Sequence, residues 1–570
     1  MAPTDEAPRE DASATIHDTP HARSLDGDRD ENEKAMSHDG EKGAVAHDET
    51  EAGEQEDPDA EYPSGLALGL LTLGLCLTTF VIALDNTIIA TAIPHITTVF
   101  HSLDDVGWYG SSYLLTTTSL QPLFGKIYVN FNVKYTYLFA LILFEIGSVI
   151  CAAAVNSPML IVGRAVAGAG ASALFSGGMN IIGFSVPLRR RPIFVAFLSS
   201  MFGIASVVGP LLGGALTDKV SWRWCFYINL PFGAVAFVAV LAFFKPPKRK
   251  VSTLTLGAKI RELDILGALF LICAIVCLLL ALQWGGTTYA WSDSKVYGLF
   301  IGFGLIIACF IFTQFKLQDK AMIPPRIFLH QRTILVSALF STFFSMALYT
   351  HIFYLPFYFQ AVKGTSAEGS GIRTIPYLVS ITLSSIVIGG SITAFGPYVP
   401  FMWGGAAVFT VGCGMLYTLG VGSGAGKWIG YQLLAGIGAG ASVQIPFLAV
   451  QVVLDSRDMP VGNAIVMFFN SLGGAISISL AQNIFANALG KQLPKYAPGV
   501  DAGLIEGAGA TGIRGVVSGA ALPGVLLAYC KALDETFILP IAVAGLAFVL
   551  SFFMEHRSVK GKKIEMTAGG

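Results

Sequence analysis

"LDNTIIATAIPHI", Leu84–Ile96, ends a run in which every residue from Leu66 to Ile93 is apolar or small and uncharged, apart from Asn86 and one acid, Asp85. A helix needs about 20 apolar residues to cross the hydrocarbon core of a bilayer, and this run supplies them. An aspartate near the centre of such a helix costs about 2.5–3.5 kcal/mol on insertion scales, so it faces protein rather than lipid and has a task there. The run therefore makes a bilayer the solvent of the fold and marks one carboxylate for a function.

Outward from this run, thirteen more of similar length follow. The fourteen expected spans are 66–92, 106–126, 136–155, 159–185, 192–216, 226–244, 265–283, 296–314, 333–359, 369–393, 401–420, 428–451, 460–487 and 536–554. The chain is thus read as an all-α membrane protein, which agrees with a composition that is 53% hydrophobic and only 13% charged, against about 25% charged residues in soluble domains. A stretch around Ile513–Tyr529 carries Arg514 and Pro523 and is read as part of a long outer connection, 488–535.

The net charge of −2 hides two unlike parts. Residues 1–63 carry 20 acidic and five basic residues, and the remainder 31 basic and 18 acidic. The head has almost no aromatic residues and too little apolar surface to fold, so it reads as a disordered acidic cytoplasmic tail. It has no apolar segment of the signal-peptide type, which leaves the first span to act as the signal. Basic residues number 20 in the connections assigned to the cytoplasm and in the C-terminal tail, against five in the short outer ones, Lys219, Arg223, Lys295, Lys363 and Lys427. This bias places both termini in the cytoplasm. Eight cysteines, seven in or beside apolar segments, read as buried thiols rather than disulfides.

"GRAVAGAGAS" (Gly163–Ser172) and "YQLLAGIGAGAS" (Tyr431–Ser442) match at an offset of 268, which also carries Arg164 to Gln432 and Pro192 to Pro460. Spans one to six then correspond to spans nine to fourteen, with seven and eight as an inserted pair. Repeats of this kind mark secondary transporters, with the substrate site at the repeat interface; convergent small-residue packing is the other explanation. The expected domains are the tail 1–63, a six-helix bundle over 64–244, a linker with two inserted helices over 245–332, a second six-helix bundle over 333–554 and a basic tail over 555–570. In the fifth span, "GIASVVGPLLGG" (Gly203–Gly214) gathers Gly209, Pro210, Gly213 and Gly214. Glycines four apart allow close helix contact and proline bends a helix, a combination suited to packing and pivoting.

These stretches, with "WRWCFYINLP" (Trp222–Pro231), "GKIYVNFNVKYTY" (Gly125–Tyr137) and "QWGG" (Gln283–Gly286), resemble the major facilitator superfamily. Within it they look like the fourteen-span drug:proton antiporter branch, and most like fungal toxin and secondary-metabolite efflux pumps of the aflatoxin and HC-toxin exporter type. The resemblance runs from about Pro63 to Glu555. It implies a major facilitator fold of 14 transmembrane helices, grouped six, two and six. It assigns proton coupling to Asp85 with Arg164, an antiporter motif to Gly209, Pro210, Gly213 and Gly214, and a cytoplasmic gating motif to Gly125 and Lys134. The residues support the first pair independently. Asp85 lies about two turns from the outer end of its span and Arg164 about one and a half, so at about 1.5 Å per residue they share a depth. A fixed structural ion pair is the plainer alternative. In the gating motif the family's acid and second glycine are here Val129 and Asn132, which puts its charged latch in doubt.

Tyr113, Gln121, Trp284, His351 and the aromatic run "HIFYLPFYFQ" (His351–Gln360) are the candidates for a large apolar substrate cavity, although aromatics in spans mostly pack. Glu145 and Arg373 are candidate relay groups with a structural alternative, and His351 lies near the repeat counterpart of Asp85. "VGSGAGKW" (Val421–Trp428) imitates a phosphate loop but has Trp428 where the magnesium-binding hydroxyl belongs. No enzymatic activity, cofactor, metal site or nucleic-acid partner is expected. The reading is a proton-coupled exporter of an apolar organic compound, monomeric, working in the lipid bilayer of the plasma membrane, with vacuolar or vesicle membranes as alternatives. A proton-driven importer of a siderophore-type substrate and a transporter-like sensor without flux are the competing functions.

Overall fold

The computed structural model describes Pro63 and residues 65–100, 106–246, 263–286, 289–501, 503, 505, 513–517 and 519–560. The expected acidic tail up to residue 62, the linker residues Lys248, Arg249, Lys250, Lys259 and Arg261, and Lys562 and Lys563 of the C-terminal tail lie outside the described residues.

The first half contains α1 (Gly65–Phe100), α2 (Val106–Asn130), α3 (Val133–Ala152), α4 (Ser157–Ser185), α5 (Arg191–Lys219) and α6 (Asn229–Phe243). The linker pair is α7 (Ile265–Trp284) and α8 (Ser294–Leu317). The second half contains α9 (Arg332–Phe357), α10 (Ala367–Phe395), α11 (Val399–Tyr417), α12 (Ala425–Ser442) continued by α13 (Ile445–Val453), α14 (Met459–Tyr496) and α15 (Leu522–Ser551). Among the described residues, thirteen helical segments are long and apolar enough to cross a membrane, α12 and α13 counting as one. The second expected span is helical as α2 but is not among the thirteen, its sequence being diluted by Ser, Thr and Gln.

Side-chain caps set several helix starts by satisfying amide groups that lack a partner in the first turn. Asn132 accepts from Lys134 N at 2.9 Å to open α3, and Asn156 accepts from Met159 N at 2.9 Å to open α4. Asp264 caps α7 at Gly267 N (2.7 Å) and also accepts from Gln314 Nε2 of α8 at 2.6 Å, which binds the linker pair together.

One boundary differs from the sequence reading. α14 continues to Tyr496 and α15 begins at Leu522, so the connection between them is much shorter than the expected 488–535. Pro523, assigned by the sequence to that connection, occupies the first turn of α15, where no amide is needed for an intrahelical bond.

Helix packing repeats across the two halves. The contacts α1 with α5 and α6, α2 with α4, and α3 with α4 and α6 recur as α9 with α14 and α15, α10 with α12, and α11 with α12 and α15. The halves meet through α2 with α14 and α5 with α10, a pair of contacts that the same correspondence exchanges. The match extends to atoms. Gly168 of α4 faces the Tyr113 carbonyl, and Gly436 of α12 faces the Tyr377 carbonyl. A Cβ on Gly170 would lie 2.7 Å from Ala140 O, and one on Gly438 would lie 2.8 Å from Gly405 O. Small residues here let backbones touch, which is how helices associate where lipid removes the hydrophobic drive. Gly170→Ala or Gly438→Ala is expected to cost roughly 1–3 kcal/mol by overpacking, read as a lowered unfolding midpoint in detergent.

Candidate functional site

Asp85 of α1 and Arg164 of α4 are joined as an ion pair, at 0% and 1% exposure. Arg164 Nη1 donates to Asp85 Oδ2, and Arg164 Nε donates to the Tyr109 carbonyl at 2.9 Å. The guanidinium lies 4.3 Å from the centre of the Tyr113 ring, a cation–π contact from α2. Asp85 Oδ1 accepts from Asn229 Nδ2 at 3.2 Å, and the same amide group donates to Ser148 Oγ of α3 at 3.1 Å. Five helices thus converge on one carboxylate, and each charge keeps hydrogen-bond partners that offset its removal from water. Asn229 is a member of the site that the sequence reading quoted within a motif without singling it out; as the first residue of α6 it carries no periodicity or charge signal of its own.

α5 is seated next to this pair. A Cβ on Gly209 would collide with the Thr87 hydroxyl, two residues beyond Asp85, and Thr87 Oγ1 donates to the Ala205 carbonyl at 3.1 Å. Gly213 is buried, with its carbonyl 3.9 Å from Cys225 Sγ. Gly214 has nothing within 4 Å of its missing Cβ, so close packing involves Gly209 and Gly213 and not Gly214. Pro210 falls within the continuous α5 helix.

The expected cavity residues occupy four different surroundings. Tyr113 belongs to the ion-pair cluster. Gln121 Nε2 donates to Ser471 Oγ of α14 at 3.2 Å, across the two halves. Trp284 ends α7 with its ring edge-on to Tyr289, centroids 5.9 Å apart. His351 is 0% exposed inside the second half, among Tyr377, Phe409 and Phe537, with Nδ1 4.0 Å from Cys413 Sγ. These neighbours follow the repeat: Tyr377 stands for Tyr113, Cys413 for Ser148, and Gln432, which donates to the Arg373 carbonyl at 3.0 Å, for Arg164. The second half therefore keeps the architecture of the site with neutral groups. In the aromatic run, Tyr354, Tyr358 and Phe359 pack into the core, and a π-helical turn at Tyr358–Val362 follows Pro356. An open apolar groove of about 570 Å³ also lies between α1, α5 and α6, lined by residues including Cys76, Phe80, Phe197, Met201 and Phe232.

At the end of the molecule that carries the basic connections, the halves interlock. Asn463 Nδ2 of α14 donates to Asn180 Oδ1 of α4 at 2.8 Å, and Phe175 meets Phe447 edge-on at 5.5 Å. Gly125 of α2 lies against Pro460, Val461 and Ala464. The degenerate gating motif is explained locally: Asn132 serves as the cap of α3, and Val129 packs against the core. Charges of the linker stand nearby. Lys126 Nζ donates to the Asp319 carbonyl, and Arg326 donates to Asp319 Oδ1 at 3.0 Å and to Asp458 Oδ2, just before α14, at 2.8 Å. Both carboxylates favour the charged guanidinium and hold Arg326 above its ordinary range. Arg326 is 56% exposed, and such pairs contribute about 0.2–1 kcal/mol. Arg326→Ala is therefore expected to shift the closed-to-open balance of this end by no more than about fivefold, measured by spin-label distances, with added salt mimicking the substitution.

A sequence model of the Major Facilitator Superfamily matches residues 75–478, most of the chain, from α1 into α14. The chain belongs to the major facilitator superfamily. Among curated relatives of this superfamily member, the MFS-type efflux pump MFS1 of Arthroderma benhamiae is 47% identical over 508 residues, covering 89% of this chain and 95% of the relative. The efflux pump roqT of Penicillium rubens is 47% identical over 490 residues, covering 86% and 91%. The proton:xylose symporter XylE shares the fold with a TM-score of 0.56 at 14% identity, over 87% of this chain and 97% of XylE. The protein is a multi-pass membrane protein of this transporter family.

Proposed function

We propose that the protein is a proton-coupled exporter of apolar organic compounds, in which two six-helix bundles rock against each other. The observation that carries this reading is the buried Asp85–Arg164 pair, shared by helices of the half that also bears the Gly209–Gly214 cluster. The names of its relatives, efflux pumps at 46–47% identity, favour export over the siderophore-importer alternative. We take α2 as the fourteenth span, since it packs between α4 and α14 within the bundle, and the basic end as cytoplasmic.

In this cycle Asp85 exchanges a proton with the outer solution when the pair with Arg164 opens, and releases it when the pair closes. Substrate and proton favour different conformations, and that difference in affinity drives the switch. At about 100 mV, one charge crossing supplies about 2.3 kcal/mol beyond the pH gradient. The working location is the plasma membrane and the working unit the monomer. The test is substrate-induced proton movement in sealed vesicles with a panel of apolar toxins: a toxin that collapses an imposed pH gradient is a substrate of antiport, whereas binding without proton or toxin flux would favour the sensor reading.

A further inference from the structure

The transport cycle as described leaves unused one acid, half-buried, whose carboxyl points into the protein. Glu145 lies in the middle of α3, and both of its carboxyl oxygens are buried without a hydrogen-bond partner among the described residues. Its carboxyl rests on α6 at Gly233, where a Cβ would collide with Oε1. One turn along both helices, Ser148 of α3 meets Asn229 of α6 at 3.1 Å, and Asn229 also donates to Asp85. Glu145 with Gly233 and Ser148 with Asn229 are therefore successive rungs of one α3–α6 contact, and Asp85 joins the second rung. Asn229 is 0% exposed and its Oδ1 also lacks a donor.

Glu145 Oε1 and Oε2 and, one turn away, Asn229 Oδ1 are thus three buried acceptor atoms without a donor among the described residues. The surrounding charges do not supply one. Asp85 on α1 is an acceptor, and Arg164 on α4 is already engaged by Asp85, the Tyr109 carbonyl and the Tyr113 ring. α6 contains no charged residue, and α2 contributes only Lys126 at its basic end. Arg223, ahead of α6, donates to the Ala154 carbonyl at 2.8 Å, and Lys134, the one cation of α3, lies in its first turn, three turns from Glu145. A proton on Glu145 resolves the arrangement, because a carboxylic acid gains one donor and loses its charge.

We propose that Glu145 is a second proton-carrying group of the transport cycle, neutral while Asp85 bears the negative charge opposite Arg164, and that the two carboxyls exchange roles when that ion pair opens. In the exchange one O–H bond breaks at Glu145 and one forms at Asp85, leaving the carboxylate on Glu145. Asn229, in contact with Asp85 and one turn from Glu145, is the positioning residue. The proposal rests on the proton-coupled reading above.

Two experiments test it. Infrared difference spectroscopy of the purified protein in lipid nanodiscs, across a rise in pH, reads the C=O stretch of protonated carboxyls. Wild type and Asp85→Asn are expected to show a band at neutral pH that Glu145→Gln lacks; Glu145→Asp, an acid too short to reach α6, should shift it. A band that survives in Glu145→Gln overturns the assignment. In pyranine-loaded proteoliposomes with rhodamine 6G as probe, Glu145→Gln is expected to let the dye equilibrate but to lose about tenfold of its accumulation per pH unit of imposed gradient. A wild type that moves dye without protons overturns the proton-coupled reading and Glu145's place in it. A proton-coupled wild type that Glu145→Gln matches in accumulation overturns Glu145 alone.

Discussion

Asp85→Asn is expected to abolish gradient-driven export and leave the protein folded, whereas Arg164→Leu is expected to destabilise it by about 3–5 kcal/mol, the loss seen when one partner of a buried pair is removed. The asymmetry follows from what each charge keeps. With Asn at position 85, the amide carbonyl still accepts from Arg164, whose Nε retains the Tyr109 carbonyl at 2.9 Å and whose plane retains the Tyr113 ring at 4.3 Å. With Leu at 164, the Asp85 carboxylate, at 0% exposure, keeps only the Asn229 amide at 3.2 Å. Arg164→Gln tests the point with a residue that the protein itself uses, since Gln432 fills the corresponding place in α12 and donates to the Arg373 carbonyl. The double variant Asp85→Asn/Arg164→Gln is expected to fold nearly as stably as wild type and to export nothing uphill. Unfolding midpoints of the four proteins give the coupling energy directly. Uphill export by Asp85→Asn at the wild-type rate would make the pair structural.

Depth along a helix was legible in the sequence, and so the Asp85–Arg164 pairing was too. Two charges in apolar runs of known direction can meet only if their distances from the same membrane face agree, and these do. The repeat was legible for a similar reason: Gly168, Gly170, Gly436 and Gly438 are required wherever backbones touch, and the touching backbones recur 264 or 265 residues apart, at Tyr113 and Tyr377 and at Ala140 and Gly405. Asn229 was not legible, because a neutral amide at a helix start has neither a period nor a cost that marks it. Contacts such as Asn180 with Asn463 between the halves, and Arg326 of the linker with Asp458 of the second half, pair residues more than a hundred positions apart and leave no local pattern. The aromatic run at His351–Gln360 is ambiguous for the opposite reason. Its composition suits a cavity wall and a packed core equally, and only the helix phase separates Tyr354 and Tyr358, which are buried, from Phe353 and Phe357, which face outward.

Gly125→Val is expected to hold the basic end open and to stop export without unfolding either half. A Cβ at this position would lie 2.7 Å from Ala464 Cβ, 3.3 Å from Pro460 O and 3.3 Å from Val461 Cα, all on the start of α14 in the other half. The overpacking cost, about 1–3 kcal/mol, falls only on conformations in which α2 and α14 meet there. That difference shifts the closed-to-open balance by about 5–150-fold, because the open conformation does not feel the added methyls. The balance can be read by cross-linking Asn180→Cys with Asn463→Cys, whose native side chains are 2.8 Å apart in the closed end. Cross-linking and export should fall together in Gly125→Val while the unfolding midpoint stays near wild type. Gly404→Val, on an exposed face of α11, provides the control, since nothing lies within 4 Å of the added Cβ and neither readout should change. A Gly125→Val protein that cross-links fully but unfolds as early as Gly170→Ala would mean that the α2–α14 contact holds the fold together, and that the gate lies elsewhere.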